Sequence, residues 1–387
     1  MIGLLLAVIY LAFISLGLPD AVLGSAWPLM SESYGTSISS MGFVTIIISA
    51  GTILSSLFSH RLTNTLGVHK VTCLSVCMTA VALFGFAASS SFYILCLWAI
   101  PYGLGAGSVD AALNNYVALH FESKHMSWLH CMWGLGATAG PYIMSMALTR
   151  QLGFQGGYFI LFGIQIILTL IIFISTPIWK MHRKQEISQD MQSESTPLRL
   201  GEIFRIKGVV QMAVAFFCFC AIEQTTGLWA SSYLIYHHGM EAELAVGFTA
   251  LFYLGITVGR GINGFLAMKY EDEQLIRGGA VIMTIGVVVL LFSPVQQVAL
   301  AGIALIGLGS APVYPCIIHA TPKNFGTTHS AAITGVQMAS AYTGTLVMPA
   351  LFGIIGKTFG FVLYPVYIGL LLLSMVIMYE KLMKMLA

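Results

Sequence analysis

About twelve apolar stretches, most near or above the ~20 residues that cross ~30 Å of hydrocarbon as a helix, run through this chain from end to end. Their approximate spans are 3–30, 38–64, 70–88, 92–121, 127–149, 155–178, 209–237, 244–270, 276–293, 298–320, 329–356 and 361–380. At bilayer depth every backbone N–H and C=O needs an internal partner, so only helices and closed barrels can span. These stretches are too long and too continuously apolar for barrel strands. The expected fold class is therefore an all-α membrane protein. Charged residues make up 8% of the chain, against about 25% in soluble domains, and the mean hydropathy is +0.87. Met1 to Leu18 has no basic residue ahead of it and its pattern continues through Asp20 to Met30, which reads as a retained first helix rather than a cleaved signal.

The one long polar stretch, Lys180 to Arg205, lies roughly midway. It divides the chain into an N-terminal six-helix bundle (1–179), a cytoplasmic linker (180–206) and a C-terminal six-helix bundle (207–387), with a short interfacial helix expected near Leu200 to Lys207. If the N-terminus is cytoplasmic, 15 of the 17 Lys and Arg residues fall on the cytoplasmic side; only Arg150 and Lys357 fall outside. The positive-inside rule then puts both termini in the cytoplasm of a cell (inner) membrane protein. Basic residues are scattered over short loops, so the net charge of +2 gives no reason to expect nucleic acid.

The two halves echo one another. Segment 1 carries Asp20-x3-Gly24-x2-Trp27 and segment 7 carries Glu223-x3-Gly227-x-Trp229. Segment 4 has Gly103-Leu104-Gly105 followed by Phe121, and segment 10 has Gly307-Leu308-Gly309 followed by Phe325. Segment 5 has Gly136 and Pro141; segment 11 has Gly344 and Pro349. Three matches in register predict an internal duplication, two pseudo-symmetric bundles, as in many secondary transporters.

Particular runs also resemble a known family, the major facilitator superfamily, and within it the fucose:proton symporters and related sugar porters. The runs are GLPDAVLGSAWPLM (17–30), VDAALNNYVA (109–118), AIEQTTGLWASSYL (221–234), GITVGRGINGF (255–265), GLGSAPVYPCIIHATPKNFG (307–326) and GVQMASAYTGTLVMPALFG (335–353). The resemblance implies transport by alternating access, with Asp20 and Asp110 at the acids tied to proton coupling and sugar binding, and Glu223 at the acid of the seventh helix. Two departures stand out. The loop SHRLTNTLGVHK (59–70) has no acid, and Asp110 stands where the fucose symporters carry Glu.

Read from the residues alone, Asp20, Asp110 and Glu223 stand apart from the other 12 acids, which lie in polar connections or at segment ends. An intramembrane carboxylate normally faces a cavity and marks an ion or substrate path. Asp20 and Asp110 are the expected proton-coupling residues, since a carboxyl in a weakly polar cavity can gain and lose a proton near neutral pH. Expected substrate contacts are Asp110, Asn114 one turn on from it, His130 and Trp133 at the start of segment 5, Glu223, Gln224 and Trp229 on segment 7, and Gln337 on segment 11. Asn115 points about 100° away from Asn114. Arg260 is read as a gate or structural anchor, and Asn263 and His319 as helix-to-helix ties.

Together these imply a proton-coupled monosaccharide symporter. The alternatives are proton-coupled efflux of a drug or metabolite, and sodium-coupled sugar uptake. No enzyme motif such as HExxH or Gly-x-Ser-x-Gly appears, and the glycine patches Gly103-x-Gly105-x-Gly107 and Gly136-x3-Gly140 are not phosphate loops, because no Lys-Ser/Thr follows them. The seven cysteines lack metal-site spacing, so neither metal nor cofactor is expected. The expected partners are a small sugar, protons or sodium, and the lipid bilayer, with the protein acting as a monomer.

Overall fold

A computed structural model describes residues 2–20, 22–37, 40–179 and 198–386. The described residues are almost entirely helical and contain no strand. The first half runs α1 (Ile2–Asp20), α2 (Val22–Ser33), α3 (Met41–Leu66), α4 (Val68–Ala88), α5 (Phe92–His120), α6 (Ser123–Thr149) and α7 (Gly153–Ile174). The second half runs α8 (Leu200–Ile203), α9 (Val209–His238), α10 (Ala242–Leu266), α11 (Asp272–Leu291), α12 (Gln296–Ser310), α13 (Val313–His319), α14 (Thr321–Phe325), α15 (Thr327–Phe359) and α16 (Tyr364–Leu386).

These helices occupy the twelve apolar stretches, with α1 and α2 in the first and α12 and α13 in the tenth. Ten candidate spans among the described residues are long and apolar enough to cross a membrane. Ser123–Thr149 has the length but is diluted by polar residues such as Ser127 and His130, both buried, and Ala242–Leu266 is a further helix of sufficient length. The expected linker lies mostly outside the described residues, at 180–197. The short helix expected after it is present as α8, where the Arg199 backbone N–H donates to Glu202 Oε2 at 2.8 Å.

Local chemistry explains the breaks. Gly67 has φ +85°, a conformation cheap only for glycine, and it lets α4 begin directly after α3. At α11 the Glu271 N–H donates to Gln274 Oε1 at 3.2 Å, and Asp272 and Glu273 occupy the first turn, where the helix dipole favours negative charge.

The described residues divide into two compact units. One comprises Met1–Tyr116 with Leu129–Pro197, the other Val117–Trp128 with Leu198–Ala387. This differs from a division at the linker alone by the 117–128 segment, which packs with the second unit.

Within each unit, helices meet backbone to backbone at glycines, and the two sets correspond. A Cβ on Gly103 would collide with the Ile48 carbonyl oxygen, and one on Gly307 would lie 2.5 Å from the Phe252 carbonyl oxygen. Gly103 and Gly307 differ by 204 positions, as do Ile48 and Phe252. Gly105 faces the Ser75 carbonyl at 2.7 Å and Gly309 the Gly279 carbonyl at 2.6 Å, again 204 apart on both sides. Likewise Gly136 abuts the Ile14 carbonyl and Gly344 the Phe217 carbonyl. Small residues allow this close approach where lipid supplies no hydrophobic drive. The expected duplication is thus present in the packing of each unit, contact for contact.

Candidate functional site

In the first unit, α5 carries a stripe of residues four apart: Tyr102, Ala106, Asp110 and Asn114. Four residues is just over one turn, so their side chains share a face. Asp110 is 4% exposed. Asn114 Nδ2 donates to Asp110 Oδ1 at 2.7 Å and to the Asp110 carbonyl at 3.0 Å. His130 Nε2 lies 3.0 Å from Asn114 Oδ1. Because that oxygen accepts, Nε2 is the protonated nitrogen, and the donors run from His130 through Asn114 to the Asp110 carboxylate. Phe13 holds the imidazole edge-on, with centroids 5.3 Å apart.

Asp20, at the end of α1, has a different setting. Its carboxylate is exposed, yet it accepts from Trp133 Nε1 at 2.8 Å and from the Tyr102 hydroxyl at 3.1 Å. Phe86 stacks on Tyr102, with centroids 5.9 Å apart, and fixes the phenol. Trp133 and His130 are three apart on α6, so one helix face serves both acids. The unit therefore joins five expected residues (Asp20, Asp110, Asn114, His130 and Trp133) into two adjoining groups: a buried relay and an open carboxylate beside an indole. Tyr102 was not anticipated. Its signal is present in the i, i+4 stripe ending at Asp110, but a tyrosine in an apolar helix reads first as packing.

In the second unit the expected residues are dispersed. Arg260 Nη2 donates to both Glu223 oxygens, at 3.3 and 3.4 Å, tying α10 to α9. Arg260 is 3% exposed. It is therefore a buried ion-pair partner that joins the two helices. Gln224 is half-buried on the next residue. Trp229 lies six residues beyond Glu223, some 240° around the helix. Its indole N–H donates to the Pro349 carbonyl at 2.8 Å, and its ring packs against Phe352 and Phe361. Gln337 is fully buried, and its Nε2 donates to Thr321 Oγ1 at 2.8 Å. Trp229 and Gln337 thus each join helices within this unit. Asn263 and His319 are ties as expected, Asn263 to Ser127 and His319 to Asp272. Among the described residues no cluster of three or more His, Cys, Asp or Glu side chains could hold a metal ion.

Comparison with known proteins matches residues 9–349 to the Major Facilitator Superfamily. Bypass of stop codon protein 6 of Saccharomyces cerevisiae is 25% identical over 286 residues, covering 68% of this chain and 56% of that protein. The glucose/mannose transporter GlcP of Bacillus subtilis is 21% identical over 319 residues, covering 79% of this chain and 77% of that one. In structure, the E. coli fucose:proton symporter FucP superposes with a TM-score of 0.78 at 14% identity, covering 98% of each chain. At that identity the likeness concerns the fold.

Proposed function

This chain belongs to the Major Facilitator Superfamily, and we propose from that premise that it takes up a monosaccharide together with a proton. Family and fold point to a multi-pass membrane transporter rather than an enzyme. The finer reading rests on one observation: the open Asp20 carboxylate, held by Trp133 and Tyr102, adjoins the buried His130–Asn114–Asp110 relay on the same helices.

That arrangement suits a polyol. A carboxylate accepts from sugar hydroxyls, a phenol and an indole N–H can exchange their present bonds for new ones, and the indole ring offers a face to the apolar side of a pyranose. GlcP of Bacillus subtilis, a relative at 21% identity, is a glucose/mannose transporter. The coupling proton is taken by Asp20 from the open side and exchanged with Asp110 behind it. Neutralising the carboxylates removes the charge that opposes moving them through a low-dielectric interior. Glu223 remains a proposed second-unit contact, with Arg260 holding its charge until substrate competes for it, and Gln224 beside it. The protein acts as a monomer in the inner membrane, with both termini cytoplasmic and two six-helix bundles, 1–179 and 207–387, as its moving parts.

The test is accumulation of labelled hexoses by proteoliposomes under an imposed pH gradient, with a sodium gradient as the parallel arm. Wild type accumulates sugar when the outside is acidic, and Asp110→Asn only equilibrates it. Accumulation by Asp110→Asn equal to wild type refutes the coupling role, and accumulation driven only by sodium refutes the choice of ion.

A further inference from the structure

The 117–128 segment, which groups with the second unit, is held there by three side chains, His319, Asp272 and Asn263. His319 closes α13. Its Nδ1 lies 2.6 Å from Asp272 Oδ2, and its Nε2 lies 3.0 Å from the carbonyl oxygen of Phe121. The Ser123 hydroxyl donates to the other oxygen of Asp272, and one turn on Asn263 Nδ2 donates to Ser127 Oγ at 2.7 Å. The segment is therefore fastened at a main-chain carbonyl and at two serines, with Asp272 and His319 at the centre.

Counting protons makes the arrangement informative. A carbonyl oxygen only accepts, so Nε2 must carry a hydrogen. In a neutral imidazole Nδ1 is then bare and faces a carboxylate oxygen, which when ionised also only accepts. A separation of 2.6 Å requires a proton between them, on one group or the other. Remove it, and the single remaining N–H can serve Asp272 or Phe121 but not both. The charge-assisted bond to the carboxylate is the stronger, so Phe121 loses its donor.

We propose that Asp272 and His319 form a proton-operated clasp on the 117–128 segment, closed when the pair holds the extra proton and loosened when it does not. This proton site is distinct from Asp20 and Asp110. The internal repeat does not duplicate it: the positions 204 residues earlier are Val68 and Asn115. The clasp thus belongs to one half, while the loop 59–70 in the other half has no acid.

The charges around the pair are accounted for. On the segment itself, Glu122 bonds Lys124 at 2.8 Å, and that ammonium holds its carboxyl below the usual range. On α14, Lys323 bonds Glu271 at 2.9 Å, which raises its affinity for its proton. Glu122 and Lys323 therefore keep their charges through the window from about pH 6 to about pH 8, where an ordinary histidine changes charge. Cys316 on α13, Lys323 on α14 and Tyr379 on α16 also lie within electrostatic reach of Asp272, Lys323 and Tyr379 within reach of Glu273 too, and His125 within reach of Glu122. His125 within the segment and His120 beside Phe121 are further imidazoles that could mimic the effect, and the variants below separate them.

Hydrogen exchange on the full chain in nanodiscs, followed by mass spectrometry at about pH 6 and about pH 8 and corrected for intrinsic exchange, reads the clasp directly. In wild type, protection of the amides in 121–128 falls about tenfold at the higher pH, the worth of one charge-assisted hydrogen bond. His319→Gln keeps a side-chain donor but no titration, so its protection becomes independent of pH; Asp272→Asn behaves the same way. Equal protection of wild type at both pH values overturns the clasp, whatever the variants do. Retention of the pH effect in His319→Gln overturns it as well and assigns the effect to another imidazole, His120 or His125. No sugar enters the measurement, so its failure leaves the transport proposal standing, and the reverse holds too.

Discussion

Asn114 uses one amide on two partners, donating to Asp110 through Nδ2 and accepting from His130 through Oδ1. Asn114→Ala leaves a buried carboxylate and a buried imidazole each short of a partner. An unsatisfied buried group costs about 1–3 kcal/mol, so thermal unfolding in nanodiscs should show a clear loss of stability. Asp110→Asn is milder, because its amide oxygen still accepts from Asn114. Equal losses for the two variants would mean the relay is not formed. The ion pair Glu223–Arg260 gives a second expectation. Removing one partner of a buried pair costs about 3–5 kcal/mol, whereas replacing both with neutral residues costs much less. Arg260→Met should therefore be partly rescued by adding Glu223→Gln, and strictly additive losses would contradict the pairing. The residues differ in how far the sequence exposed them. Asp110 and Asn114 are four apart on one helix, so their meeting was legible from spacing. Glu223 and Arg260 lie on different helices, and nothing within either stretch records the depth at which the two align. Trp229 is read from the sequence as a face for the sugar ring; six residues of helix set it about 240° around from Glu223, and its N–H bonds the Pro349 carbonyl, a partner the sequence does not record.

Helices were the most legible elements, because hydropathy and length are local properties and the apolar stretches became helices within a few residues at each end. Where the stretches touch was legible only through glycine. Gly103 and Gly307 face main-chain carbonyls at positions related by the internal repeat, so bulk at either should be resisted alike. Overpacking costs typically about 1–3 kcal/mol, and more where the neighbour is backbone that cannot move aside. Gly103→Leu and Gly307→Leu should each lower the melting temperature and the folded yield. Gly163, around which a new Cβ would meet nothing within 4 Å, is the control: Gly163→Leu should stay within about 0.5 kcal/mol of wild type. If Gly103→Leu proves as harmless as Gly163→Leu, the close crossing of α3 and α5 is wrong. The grouping of 117–128 with the second unit was not legible, because it depends on His319 meeting a main-chain carbonyl and on Asp272 and Asn263 meeting two ordinary serines, which leave no mark on the sequence of the segment itself.

For the whole molecule, the distribution of basic residues makes a claim that no single helix can make. Fifteen of 17 Lys and Arg residues fall on one side only if every stretch crosses and the total is even. Moving one such charge to the far side of the membrane costs enough during insertion to bias orientation, and the bias accumulates over short loops. Helices occupying all twelve stretches supply the even count. The expected outcome is that a fluorescent protein fused after Met385 folds in the cytoplasm and fluoresces. An alkaline phosphatase fused at Thr358, beside one of the two outlying basic residues, should be exported and active, whereas one fused at Tyr270 should be inactive. Activity at Tyr270 would place Lys269 outside and reverse the topology. In that orientation Asp272 and His319 would face the exterior, and the clasp would respond to external rather than cytoplasmic protons. A topology experiment therefore decides which compartment's pH the second half of the molecule reads.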